Sequence, residues 1–391
     1  MFYWVGVQPR FNMRLATRKS EAPSTLPTTM RFHVVYPCSD SISCPSAIGR
    51  HIRDCLAPLG PVIVHDFNAD YTIEPKPDDI LIGSPGWEPW HIFNRSVNKP
   101  GWKRRIGIQP FCPGDPRLQA ATDRIIPYCD RFLAICGSWW FERTPESLFR
   151  HWSSKLEHLD LAVDCKDFPQ IKLDFAPPGQ RKFVYIGHSA WYKQPKYLCA
   201  LAKLRPGWIS WIGKMRSRYS GPARLGVRDF SHKEAQNELR QFDFLLTVGN
   251  ADANPTTILE AMAWGLVPIA TPESGYGDVT SVLPIHGNNL ETAVQTLDQA
   301  QHMSEASLRE IQSENNQLLV SHYNWDRFCS QIISAVTAND HLPMGMQTWQ
   351  NKFRMRAWEI RSPYTWMRPR PIRHRIVKKV SDVFKKRLIF E

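Results

Sequence analysis

Two acidic residues eight positions apart, Asp252 and Glu260, flank the clearest helix-start signal in the chain, within FDFLLTVGNADANPTTILEAMAWGLVPIAT from Phe242 to Thr271. The opening apolar run has the character of a buried strand ending at Val248, and a polar turn follows it. Asn254 suits an N-cap, Pro255 the first helical position and Gly265 the residue just past the helix end. The next run, Leu266 to Thr271, is again apolar, which completes a strand–helix–strand unit. At helical spacing Ile258, Ala261 and Met262 share a face expected to pack on the sheet, while Thr256, Thr257 and Glu260 share another. A helix start offers free backbone N–H groups and the positive end of the dipole, both suited to phosphate. One short helix could therefore hold a diphosphate around Pro255, Thr256 and Thr257 and present Glu260 to sugar or ribose hydroxyls. A solvent-facing Glu on an ordinarily capped helix fits the spacing equally well.

A second cluster precedes it. KFVYIGH, Lys182 to His188, is a strand pattern closed by Gly187, where the backbone can approach a ligand closely. Lys193 follows in the loop. Alone it is an ordinary solvated lysine.

The elements that must position these groups alternate regularly. RFHVVYPC, PVIVHDF, DDILIGS, RRIGIQPF and RFLAICG give strands beginning near Arg31, Pro61, Asp78, Arg104 and Arg131, with a helix from Ser46 to Leu56. Asp115-Pro116 starts another helix towards Cys129. Lys155–Asp164 supplies a last strand and turn. Continuous apolar runs without clean alternation indicate a parallel sheet covered on both faces. A Pro-rich polar stretch, Cys165 to Arg181, marks a boundary. A second series then begins, with strands at KFVYIGH, WISWIGK, RLGVRD and FDFLLTVG, and helices near Pro195–Leu204 and His232–Gln241. Helical patterns at Leu290–Ala300, Leu308–Ser321 and Trp325–Val336 close the globular part. The expectation is an α/β protein with two doubly wound parallel sheets and a cleft between them. Its parts are a poorly ordered leader (1–29), an N-terminal domain (30–170), a C-terminal domain (181–322), a crossover helix (323–340) and a tail (341–391).

Bulk properties agree with this division. A chain of 391 residues, 42% hydrophobic and 22% charged, has the makeup of a globular protein of two domains. No run approaches the ~20 apolar residues that cross a bilayer. Nine scattered cysteines without metal-ligand spacing point to reduced thiols and a cytoplasmic setting. The net charge of +12 is concentrated in 341–391, which holds thirteen Lys or Arg against three acids. Between Ile376 and Phe390 the apolar residues Ile376, Val377, Val380, Val383, Phe384 and Leu388 recur at helical spacing among lysines. Such a segment could lie on an anionic membrane or pack across the two domains. The mixed aromatic and basic residues of the tail also suit nucleic acid, but nothing else in the chain supports that partner.

DANPTTILEAMAWGLVPIATPESG resembles the signature of glycosyltransferase family four: an acid, seven residues, Glu, then Ala-Met-Ala, Gly and a Pro-containing strand. KFVYIGHSAWYKQPKYL is similar to the strand, Gly, loop and Lys that open that family's donor domain. CDRFLAICGSWW, HLDLAVDCKDF (with Asp164) and NWDRFCSQIISAV are softer matches. The resemblance implies a GT-B fold and transfer of a sugar from a nucleoside-diphosphate sugar to a glycan, lipid-linked or other acceptor, with retention and without a required metal. It implies that Asp252, with Ala253 and Asn254, meets the donor sugar and that Glu260 meets the ribose. Gly187, His188, Lys193, Pro255, Thr256 and Thr257 would hold the diphosphate. The chain departs from the family in carrying Asp252 for Glu, His188 for Arg and Gln109 where a His is frequent. On the acceptor side His91, Gln109 and Asp115 are candidates by location alone, and no catalytic base stands out. A nucleotide-sugar epimerase, a phosphorylase or a non-catalytic sugar-nucleotide binder remain open.

Overall fold

A computed structural model describes residues 30–40, 43–86, 90–113, 122–147 and 149–338. The leader 1–29, Asp115 and the tail 341–391 lie outside the described residues.

The N-terminal sheet is built from β1 (Phe32–Val35), β2 (Val62–Val64), β3 (Ile80–Gly83), β4 (Arg104–Pro110), β5 (Arg131–Ile135) and β6 (Leu156–Leu159), all parallel, in the order 2-1-3-4-5-6. The C-terminal sheet comprises β7 (Phe183–Ile186), β8 (Ile209–Ile212), β9 (Ala223–Gly226), β10 (Phe244–Thr247), β11 (Val267–Ala270) and β12 (Leu283–Pro284). Its strands are also parallel, in the order 9-8-7-10-11-12. The central strands ILIG and FLLT are buried along their whole length, as a sheet covered on both faces demands. Burial fades at the edges: β9 is mostly exposed, and Ile63 and Val64 of β2 are 36% and 40% exposed.

Each sheet reverses its winding once, between β1 and β3 and between β7 and β10. Loops leaving the carboxyl ends of those strands border the natural ligand crevice of a doubly wound sheet. The helices that matter there are α1 (Cys44–Leu56), α2 (Ile92–Ser96), α3 (Ser138–Glu142), α4 (Pro195–Leu204), α5 (Lys233–Glu238) and α6 (Thr256–Trp264). Three more follow: α7 (Leu290–His302), α8 (Glu305–Ser321) and α9 (Trp325–Thr337).

The two domains are tied together by the chain between and after them. Lys172 in the linker reaches Asp243 at 2.8 Å, with both side chains almost fully buried. The Ile171 and Lys172 amides donate to the Trp264 carbonyl at the end of α6. Helix α9 returns to the N-terminal domain, where Trp325 stacks on His51 of α1 with ring centroids 3.8 Å apart. Beside it Asp160 accepts from His322 at 2.8 Å and pairs with His158 and Arg327. One apolar core runs continuously from β1 and β4 to α6 and α9.

Candidate functional site

The loop after β7 starts at Gly187, whose φ of 154° and crowding by the Tyr185 hydroxyl, 2.8 Å from where a Cβ would lie, leave little room for another residue. Its N–H donates to the Ile212 carbonyl, and its own carbonyl accepts from the Trp211 indole, each at 2.9 Å. The chain then makes a short turn, Trp191–Lys193, and Gln194 takes the left-handed conformation at φ 48° before α4 begins. This turn aims Lys193 across the switch point at Asp252 in the loop after β10. The two form an ion pair with side chains only 12% and 13% exposed. The loops are also joined by the Asn250 amide, which donates to the Tyr192 carbonyl at 2.8 Å. His188 is exposed, with the Tyr192 hydroxyl 3.3 Å from Nε2, and its pKa is lowered by partial burial and then by the Lys193 charge.

Helix α6 carries the second half of the site. The Asn254 cap is a correction: the helix begins at Thr256, and Pro255 occupies the cap position without a side-chain bond. Asn254 is 5% exposed and turns to Tyr276, whose hydroxyl donates to Oδ1 at 2.7 Å. Its Nδ2 is buried without a partner among the described residues. The competing bond to Tyr276 is what removes Asn254 from capping. Gly265 ends the helix in the left-handed region at φ 85°, where the sequence places the stop. Ile258, Ala261 and Met262 are fully buried, but so is Leu259, because α8 packs over the outer side of α6. Only the Thr256–Thr257–Glu260 strip stays partly open.

Glu260 points into the molecule. It lines a cavity of about 340 Å³ between the domains, together with Cys44, Asp164, Phe230, Lys233 and Thr256. Thr256 lies between Glu260, one turn further along α6, and Cys44 of the opposite domain, and all three line this cavity. Burial raises the Glu260 pKa to about 7, against the opposing pull of Thr256 and Lys193. Burial, reinforced by Glu260, pushes the Cys44 thiol up to about 12. A larger cavity, about 650 Å³, sits behind the loops among Gln194, Asn250, Glu273 and His286. Neither cavity is lined by Lys193 or Asp252; Glu260 lines the smaller one, and Gln194 and Asn250 from the loops of the ion pair line the larger.

The chain matches no protein-family model and no curated protein sequence. Solved structures are similar in shape. Sucrose-phosphate synthase from Thermosynechococcus elongatus aligns with a TM-score of 0.58 at 12% identity, over 78% of this chain and 98% of that one. A glycosyltransferase from Rickettsia africae ESF-5 gives 0.54 at 12% identity over 81% and 100%. Anabaena HepE, solved with UDP and glucose, gives 0.53 at 10% over 78% and 99%. The fold is GT-B.

Within the GT-B cleft the expected donor-side residues fall into two connected groups. Lys193, Asp252 and His188 gather on the loops after β7 and β10, while Pro255, Thr256, Thr257 and Glu260 lie along the start of α6. Ala253 is buried against the N-terminal domain, and Asn254 against Tyr276. The acceptor-side candidates are less concentrated. His91 caps α2, its Nδ1 accepting from the Phe93 amide at 3.3 Å, and burial lowers its pKa. Gln109 is buried at the end of β4, with Oε1 lacking a partner among the described residues. Sequence reasoning missed Cys44 and Trp140. The Cys-Pro pair at the start of α1 marks a helix opening two residues earlier than expected, and no spacing rule points to the contact of Trp140 with the other domain.

Proposed function

We propose that this protein is a glycosyltransferase that moves a sugar, with retention of configuration, from a nucleoside-diphosphate sugar to a glycan, lipid-linked or other acceptor. The observation that carries the reading is the Lys193–Asp252 ion pair at the β7/β10 switch point beside the Thr256–Glu260 helix start. In the free protein the two charges neutralise each other. A donor separates their tasks: the ammonium turns to the diphosphate, and the Asp252 carboxylate is freed to accept from sugar hydroxyls. The Thr256 and Thr257 amides at the start of α6 have no intrahelical acceptors, whereas Ile258 already donates to the Pro255 carbonyl, and the two free amides add fixed positive potential where the leaving diphosphate gains charge. His188 adds a hydrogen bond and, below its lowered pKa, a charge. Glu260 accepts from the ribose, and the cavity continuing towards Phe230 and Lys233 takes the base. Hydroxyls that bond a carboxylate in a partly dry pocket give strong selection for a ligand that supplies them.

Residues 341–391 would rest on an anionic membrane, holding the enzyme near a lipid-linked acceptor. No helix among the described residues is long and apolar enough to cross a membrane. Deleting the chain after His341 should abolish binding to anionic liposomes while leaving a folded protein.

Release of nucleoside diphosphate from a panel of sugar nucleotides, with and without glycan acceptors, tests the assignment. A transferase releases nucleotide in step with acceptor glycosylation. Turnover that ignores the acceptor would mark an epimerase, and affinity without turnover a binding protein.

A further inference from the structure

Trp140 belongs to α3 of the N-terminal domain, yet its indole N–H donates to two carbonyls of the other domain, Asp252 at 3.0 Å and Glu273 at 3.2 Å. The neighbouring Gly137 amide donates to the Ala253 carbonyl at 2.9 Å. Only a glycine permits this approach: a Cβ on Gly137 would lie 1.7 Å from the Gly275 carbonyl oxygen. The Asp252 amide in turn donates to the Glu273 carbonyl at 3.0 Å. The loops after β10 and β11 are thus bound to each other and clamped from outside by one short segment, 137–140. Trp140 is 7% exposed, so water is a poor substitute for its N–H.

We propose that Trp140 is a positioning residue for Asp252, fixing the backbone of the sugar-side loop when the two domains are docked. The inference rests on the reading that Asp252 meets the donor sugar; Trp140 itself touches no substrate. The Asp252 side chain is held by Lys193, a contact that a donor must disturb, whereas its main chain is held by the indole, which a donor leaves alone. Docking of the N-terminal domain and readiness of the sugar subsite become one event. The nucleotide half of the site, on α6, is held by packing against α8 and by the linker amides on the Trp264 carbonyl, and makes no bond to Trp140, so it does not depend on this clamp.

The test is Trp140→Phe, which keeps a buried aromatic ring and removes the N–H. Should phenylalanine leave the protein unfolded, benzothienylalanine placed at position 140 keeps the two-ring shape and replaces only the N–H by sulfur. Amide exchange of peptides covering 249–255 and 272–276 in the free protein should rise at least tenfold, with the rest of the chain unchanged. In calorimetry with UDP and UDP-glucose as probes, UDP affinity should stay within twofold while the advantage of UDP-glucose over UDP falls at least fivefold. Unaltered exchange in both loops, or a parallel fall for UDP and UDP-glucose, overturns the proposal. If the wild-type chain binds neither probe nor GDP and GDP-mannose while loop exchange still rises, the donor reading fails and the positioning of the loop stands.

Discussion

At the N-terminal switch point, between β1 and β3, the described loops offer hydroxyls and a thiol: Ser39 and Ser43 hydrogen-bonded to Ser46 at 2.7 and 3.1 Å, and Cys44 beside them. At the C-terminal switch point, between β7 and β10, the chain presents Lys193, Asp252 and Glu260. The opposite ends of the two sheets are furnished alike. Asp79 just before β3 and Asp243 just before β10 are each buried and each bonded to a cation and to backbone amides. Two parallel sheets of similar winding therefore use the same device to hold the strand ends that face away from the cleft, and diverge where they face it. A doubly wound sheet supplies a platform, and the side chains on its crevice loops decide the chemistry.

The comparison is broken most directly by removing the shared device. Asp243→Ala leaves the Lys172 ammonium buried without its counter-charge, which should cost about 3–5 kcal/mol. Asp79→Ala should cost less, since Arg31 is 28% exposed and retains water. Urea unfolding measures both, and nucleotide affinity of the folded fraction should be unchanged in each. A loss of affinity without loss of stability at either position would erase the distinction between the two ends of the sheets.

Next in size is Lys193→Ala at the divergent end. Removing the cation that meets the leaving diphosphate should lower kcat by roughly 10²–10³. Melting temperature should fall by a few degrees as well, because Asp252, only 13% exposed, is left without its counter-charge. Lys193→Arg keeps the charge, and its failure to restore activity would show that position as well as charge is needed.

Much of this contrast was legible in the sequence. Continuous apolar strands indicated the parallel sheets; Glu260 stood out because a carboxylate among small hydroxyl residues is poor core material, whereas Lys193 and Asp252 were singled out only by their places in the resembled motif. Gly265 was predictable because a helix stop in the left-handed region selects glycine. Asn254 was misread for a physical reason: capping is a local preference, and the hydroxyl of Tyr276, 22 residues further on, outcompetes it. The clamp of Trp140 on Asp252 spans 112 residues and two domains, and Cys44 lines one cavity with Thr256 from the opposite domain, so no periodicity encodes either juxtaposition. The edge strand β12, two residues long, carries too few residues for any pattern.

Glu260→Gln sharpens the comparison through pH. The unfolded chain ionises this carboxyl near the usual value of about 4.3, whereas burial raises the folded-state pKa to about 7. Between those values folding takes up a proton, so the contribution of Glu260 to stability falls as pH rises and is at its most unfavourable above 7. The Gln variant should therefore melt a few degrees higher than wild type at pH 8 and at the same temperature near pH 4. Donor hydroxyls favour the ionised form, so wild-type affinity should rise from pH 6 to 8, and the Gln variant should bind about tenfold more weakly at pH 8 with no such slope. Equal melting temperatures at pH 8 would mean that Glu260 is solvated and not part of the cleft.

The smallest effect is expected on the acceptor side, at Gln109. Its Oε1 is buried at the carboxyl end of β4 without a partner among the described residues, an arrangement that costs stability unless something else is gained. Gln109→Leu replaces the amide by an apolar side chain of similar length, and should raise the melting temperature by a degree or two while leaving donor affinity within about twofold. Because the strand ends in the cleft, turnover at saturating donor and limiting acceptor is the measurement that decides its role. A fall of tenfold there, with the fold intact, would move Gln109 from the scaffold to the acceptor subsite. The N-terminal sheet would then hold chemistry of its own one strand beyond its switch point, carried by a neutral amide where the C-terminal domain uses charge.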